Sequence, residues 1–190
     1  MVEAWFSDQT AIFVQEIGGT EINFTVDVLS LTESGFERET EGIVTFGDGR
    51  IVQKKPQKDG KVEIEFVMTD TTADKIFFGN TGTATAPDIV ESGGDQSKHR
   101  IVLLRTDGTL PSSAVGAVTG VTAYRSAYAE AYAVTLEPTH EADGLLKGKL
   151  SFTVAPTDSD AGANVRKEVG LPAADMTTLV DYTTTNKFVA

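Results

Sequence analysis

The sequence predicts a mainly β fold: an antiparallel β-sandwich or barrel with one short flanking helix and extended hairpin arms. Three observations predict it. Apolar and polar residues alternate strictly in several segments. Threonine, which suits a pleated surface, is spread along the chain. Turn signals punctuate the alternating runs, including two Asp-Gly steps in "GFERETEGIVTFGDGRIVQKKPQKDGKVEIEFVMTD".

Taken in order, "INFTVDV" sets Ile22, Phe24, Val26 and Val28 on one face, with Asn23, Thr25 and Asp27 opposite. "KVEIEFVM" does the same with Val62, Ile64, Phe66 and Met68 against Glu63 and Glu65. Both read as half-buried strands with one wet face. Between them, the charged stretch over 48–60 reads as a hairpin arm. "DTTADKIFFG" reads as a short helix with Asp70 as its N-cap and Gly79 as its stop. "HRIVLLRT" is an apolar run that suits a more deeply buried strand. "AYAEAYAVTLE" alternates Tyr128, Glu130, Tyr132, Val134 and Leu136 against four alanines, and "LLKGKLSFTV" alternates Leu146, Gly148, Leu150, Phe152 and Val154 against polar residues. With the turn-rich "PTHEADG" between them, these two form an antiparallel hairpin. Alanine content makes a helix over Tyr124–Leu136 the competing assignment, but the strict alternation and the threonines favour strand. "SDAGANVRKEVG" and "LPAADMTTLV" are further helix candidates, the second with Pro172 at its first position. The 190 residues form one domain, with an N-terminal arm over 1–15, a variable loop over 79–99 and a C-terminal extension over 161–190.

Composition excludes several classes. The chain has no cysteine, so disulfide scaffolds, thiolate metal sites and thiol catalysis are absent. Its charge is −12, from 28 acids against 16 bases, which opposes a grip on nucleic acid. Lys54, Lys55, Lys58 and Lys61 cluster around a turn and read as a solvated loop tip. The acidity also suits a high-salt, halophilic source. "MVEAWFSDQTAIFVQEIGG" lacks the basic and apolar regions of a signal peptide, and no segment has the length and apolarity of a membrane span. The expectation is a soluble protein made in the cytoplasm.

Motifs for chemistry are incomplete. "HEADG" begins like a zinc-protease motif, but Gly144 stands where the second histidine belongs. Asp158 and Asp160 begin like a calcium loop, but Val169 occupies the position of its bidentate glutamate. "GLLKGKL" is one residue short of a phosphate loop, with Leu150 in place of Ser or Thr. Glu63 and Glu65 could serve a hydrolase only if set against each other across a cleft. No enzyme, cofactor or metal is expected.

The hairpin "AYAVTLEPTHEADGLLKGKLSFTVAPTD", with its E-P-x-x-x-A-D-G turn, resembles the closing hairpin of major tail tube proteins of long-tailed, siphovirus-like double-stranded DNA viruses. "WFSDQTAIFVQEIGG" is similar to the opening of that family, and "GFERETEGIVTFGDG" with "VEIEFVMTDTTADKIFFG" to its first half. The likeness covers most of the chain and stops at Gly79–His99 and after Ala161. It implies a tail-tube-like β-sandwich that closes into hexameric rings. The rings stack into the virion's tail tube, through which DNA is ejected.

The resemblance further implies that the chain's main partner is itself. Tape-measure, terminator and baseplate proteins would be the other partners; DNA would pass without specific binding, and assembly would occur in the host cytoplasm. Trp5, Phe6, Phe13, Asp48, Lys54, Lys55 and Lys58 are the candidate arm residues laid on neighbours. Glu37, Glu39, Glu63, Glu65 and Glu130 are the candidates for an acidic lumen that repels duplex DNA. That repulsion reaches about 10 Å at 0.1 M salt. The alternatives are another ring-forming protein (terminator, decoration or secretion tube) and a carbohydrate-binding sandwich presenting Tyr124, Tyr128 and Tyr132 as a platform.

Overall fold

The computed structural model describes residues 10–16, 21–24, 28–37, 40–45, 49–54, 58–78, 98–106, 108–110, 123–140, 144–155 and 164–169. They form ten strands and one helix. The order is β1 (Thr10–Glu16), β2 (Glu21–Asn23), β3 (Val28–Gly35), β4 (Thr40–Thr45), β5 (Gly49–Lys54), β6 (Gly60–Val67), α1 (Thr72–Phe78), β7 (Lys98–Thr106), β8 (Ala123–Thr139), β9 (Lys147–Val154) and β10 (Val165–Val169). Eight strands make one antiparallel sheet in the order β2-β1-β7-β8-β9-β6-β3, with β10 added to β8; β4 and β5 pair with each other as a separate hairpin.

β8 organises this sheet. Its 17 residues are long enough to serve two sets of neighbours. The first half pairs with β7, from Ala123 opposite Thr106 to Tyr132 opposite Lys98, and the second half pairs with β9. Two irregularities let it bend. His99 and Ile101 of β7 face Ala131 and Tyr128, so β8 carries an extra residue at Ala129–Glu130; a second bulge falls at Val134. Each bulge resets which side chains point inward, so Tyr128, Ala131, Ala133 and Leu136 all join the core.

The sheet curls so that each margin reaches strands on its far side. Phe24, just after β2 at one margin, sets its ring edge-on to Phe66 of β6 at 5.6 Å. Glu33 of β3, at the other margin, reaches Arg105 of β7 at 2.9 Å and also accepts a hydrogen bond from the Tyr128 hydroxyl of β8. The enclosed core contains Ile12, Val14, Val62, Ile64, Ile101, Leu103, Leu150 and Phe152, closed at one side by Ala73 and Ile76 of α1. Burying side chains of this kind contributes about 1.5–3 kcal/mol each.

Several expectations hold. β6 buries alternate residues, β7 is an almost wholly buried strand, and β8 and β9 form the hairpin rather than a helix. The Thr72 N–H donates to Asp70 Oδ1 at 2.8 Å, which makes Asp70 the helix cap. Other expectations are corrected. "INFTVDV" is not one strand: Glu21–Asn23 pairs with β1, whereas Val28 begins β3 on the opposite margin. The expected N-terminal arm is sheet from Thr10 onward, and Phe13 is fully buried opposite Val102. Phe13 is therefore not an arm residue; "AIFVQ" is a run of a strand covered on both faces. Lys98 and His99 belong to β7 rather than to the variable loop. "SDAGANVRKEVG" does not form a helix at its end: Val165–Val169 pairs with Tyr128–Tyr124 as β10. The second C-terminal helix candidate lies outside the described residues.

The arm boundary also moves. β3 and β6 pair down to Gly35 opposite Gly60, so Gly60 belongs to the sheet and the arm is the β4–β5 hairpin beyond it. Gly35 and Phe36 both adopt positive φ, at 76° and 54°. That kink lays the Phe36 ring over Gly60, where a Cβ would stand 1.9 Å from its Cζ. The same ring stacks on Tyr128, with centroids 5.8 Å apart, which offsets the backbone strain.

Candidate assembly surfaces

The first surface is the edge strand β3. At eight residues it is long for an unprotected margin, and no described strand pairs with its outer side. A register shift between Val28 and Ser30 makes Leu29 a bulged residue, and its side chain is 54% exposed. Proteins usually blunt such edges with lysine or proline; "VLSLTESG" has neither. Its one charged side chain, Glu33, is turned inward to Arg105 and Tyr128. Burial and the Glu33 contact together raise the Tyr128 phenol far above its ordinary range.

The second surface is the wet face of β3, β6, β9 and the end of β8. Glu63 Oε1 is held by Lys61 Nζ at 2.7 Å and Lys149 Nζ at 3.0 Å, and accepts from Ser151 Oγ at 3.3 Å. Ser30 Oγ donates to Glu65 at 2.8 Å. Register puts Glu65 opposite Lys149, Val67 opposite Lys147 and Glu137 opposite Lys149. Lys61, Lys147 and Lys149 thus share this face with Glu63, Glu65 and Glu137. Glu63 and Glu65 do share one sheet face, but that face is charge-balanced and not the acidic wall expected of them.

The Lys61 hydrogen bond, then that of Lys149, lowers the Glu63 carboxyl to about 2. A carboxylate so depressed is no general acid. Because its folded-state value lies below the ordinary 4.5, its stabilisation is complete above about 4.5 and is lost as pH falls toward 2. In urea unfolding, Glu63→Gln is expected to be less stable than the parent by a constant amount above about pH 5. The gap should then shrink toward about pH 2. A gap independent of pH over that range would contradict the pairing.

The remaining predicted residues are placed separately. Glu37 is exposed at the arm's base, where Lys58 Nζ meets it at 3.2 Å and the Lys58 N–H donates to the Glu37 carbonyl at 3.0 Å. Glu130 is buried at 8% exposure, paired with Lys98 at 3.1 Å and accepting from the Tyr132 hydroxyl. It is a neutralised internal group rather than part of a bare bore. Lys54 ends β5. Trp5, Phe6, Glu39, Asp48 and Lys55 lie outside the described residues. The tyrosines form no platform: the bulge at Ala129–Glu130 sends Tyr128 into the core while Tyr132 binds Glu130 outside it, and Arg105 covers Tyr124 at 5.5 Å. This removes the feature on which carbohydrate binding rested. Among the described residues no cluster of three metal-ligating side chains occurs, and no helix is long and apolar enough to cross a membrane.

Sequence reasoning missed Asn164. It is fully buried where β9 ends and β10 begins along the same edge of β8. Its Nδ2 donates to the carbonyls of Glu130 (2.7 Å) and Ala155 (2.6 Å), its Oδ1 accepts from the Glu130 N–H (2.6 Å), and its own carbonyl accepts from the Ala129 N–H (3.0 Å). The "AGAN" context offers no local signal for this role.

The described residues thus form a mainly β fold of one curled antiparallel sheet, one short helix, a long edge strand with no described partner on its outer side and a separate two-stranded hairpin. No family model matches the sequence, and no curated protein matches it. Solved structures do. The chain is similar to a chain of the anti-feeding prophage baseplate, with TM-score 0.53 at 10% identity, covering 88% of this chain and 97% of that one. It is similar to the tube-terminating cap of the same particle (0.51, 9%, covering 88% and 93%). It is also similar to the sheath/tube terminator of an extracellular contractile injection system (0.51, 11%, covering 88% and 99%). At these identities the likeness is one of fold.

Proposed function

We propose that the chain is a ring-forming subunit of a phage-like tail tube, with no turnover and no cofactor. One observation carries the reading: an eight-residue edge strand, with no described strand on its outer side and bearing an exposed leucine, closes the order of a tail-tube-like sheet. A second copy laid along β3 satisfies that edge, and repetition around an axis closes a ring. In a long-tailed virus the stacked rings are the conduit for DNA ejection, with tape-measure, terminator and baseplate proteins at their ends and the virion tail as their location. The balanced wet face suits such a bore in a way that differs from simple repulsion. Lys61 and Lys149 are already engaged by Glu63, so they offer duplex phosphates no grip.

A second reading, a terminator or cap ring, is favoured by the likeness to cap and terminator chains. Copy number per particle separates the two, since a tube subunit recurs in every ring and a terminator in one. Electron microscopy of the concentrated protein is expected to show hollow stacks of rings. A particle that stays monomeric at every concentration would contradict both readings.

A further inference from the structure

The described surface has two poles. β6 spans about 25 Å over its eight residues. At its first residue the chain leaves the β4–β5 arm, tied off by Glu37 and Lys58. At its last residues lies an open cleft of about 70 Å³, floored by Ile22, Phe24, Phe66 and Met68 and rimmed by Asp70 and Thr72. That is roughly half the volume of a cavity known to hold benzene, enough for the end of one aliphatic side chain. Two of the most exposed apolar residues flank this pole: Leu29 beside the end of β6, and Leu145, 66% exposed, next to the Leu146 carbonyl that accepts from the Met68 N–H at 2.9 Å.

We propose that this cleft receives the β4–β5 arm of a second copy of the chain, giving a head-to-tail contact along the axis of the stack. The inference rests on the ring-forming reading above and names the receptor for its arm. Three arguments favour this occupant. Arm and cleft sit at opposite ends of one strand, so copies in one orientation bring them together repeatedly, as a heterologous contact requires. The arm pairs Ile43 with Ile51 and Gly42 with Val52, which supplies aliphatic residues of the size the cleft admits. The charges are complementary. Residues 38–57 carry four bases against three acids, net +1, while the rest of the chain carries −13. Arg50, Lys54 and Lys55 fall in the second arm strand and the residue after it, and the cleft's rim offers Asp70 with Asp74 just behind it on α1.

Because the chain has no cysteine, engineered cross-linking reads this contact without background. Gln53→Cys in the arm is combined with Thr69→Cys at the exposed rim, and Glu41→Cys, which faces Gln53 across the hairpin, replaces the arm position in a second variant. Assembled protein treated with a short bis-maleimide is expected to give a ladder of covalent oligomers from at least one double variant. Each single variant should give dimers at most. Stacked rings that form normally but give no ladder from either double variant would overturn the cleft as receptor and leave the ring-forming reading standing. Absence of any assembly would overturn both.

Discussion

Replacing Asn164 by alanine is expected to lower the unfolding free energy by about 3–5 kcal/mol. Three side-chain hydrogen bonds disappear, and the Glu130 N–H with the Glu130 and Ala155 carbonyls is left at a fully buried position. Each unsatisfied buried group costs about 1–3 kcal/mol, and the three share one site, so their sum is discounted. Against a typical total of about 5–15 kcal/mol, this is a large fraction. The melting temperature should fall by roughly 10 °C, taking about 2–4 °C per kcal/mol for a chain of this size. Asn164→Asp separates hydrogen bonding from packing. It keeps an acceptor for the Glu130 N–H but turns a carboxylate toward two carbonyls, so it should be worse than alanine at neutral pH. It should recover as falling pH protonates it, since burial against carbonyls raises that carboxyl. Urea unfolding curves across pH check both, and an alanine variant within about 1 kcal/mol of the parent would contradict the bridging role.

Excising the arm is expected to abolish stacking while leaving the fold intact. The β4–β5 hairpin shares no ladder with the main sheet. Beneath it, the Lys58 N–H already donates to the Glu37 carbonyl at 3.0 Å, the bond that closes a two-residue turn. Asn-Gly in place of residues 38–57 therefore continues the β3–β6 hairpin and keeps Phe36 on Gly60. The unfolding midpoint should change little, because every residue of the described core cluster is kept. Sedimentation and microscopy should show tubes replaced by isolated rings or protomers. Tubes of ordinary length from the excised chain would mean that the arm has no part in stacking.

Much of this fold was legible because its signals are local. β6 and β9 alternate apolar and polar residues with one buried face, and "DTTADKIFF" carries its own cap in Asp70. What escaped depends on pairing between distant residues. Nothing near Tyr128 announces the bulge at Ala129–Glu130, yet it decides that Tyr128 is core, that Tyr132 is not, and that Glu130 is buried against Lys98. Register also sets the charge of the wet face: Glu63 reads as a bare acid until β9 brings Lys149 to it. Phe13 shared an apolar segment with Trp5 and Phe6 and so read as arm, because a strand covered on both faces loses the alternation that marks half-buried ones. β10 reads as helix because the alanines and glycine before it hide a five-residue strand whose described pairing is to the distant β8.

The most direct test of the ring-forming account is a reconstruction of the assembled particle at a resolution that separates strands. It should show the outer side of β3 in every protomer lying along a neighbouring copy, with Leu29 covered and an open hole on the axis. Particles in which β3 and Leu29 remain bare to solvent, with copies joined elsewhere or not joined at all, would contradict it.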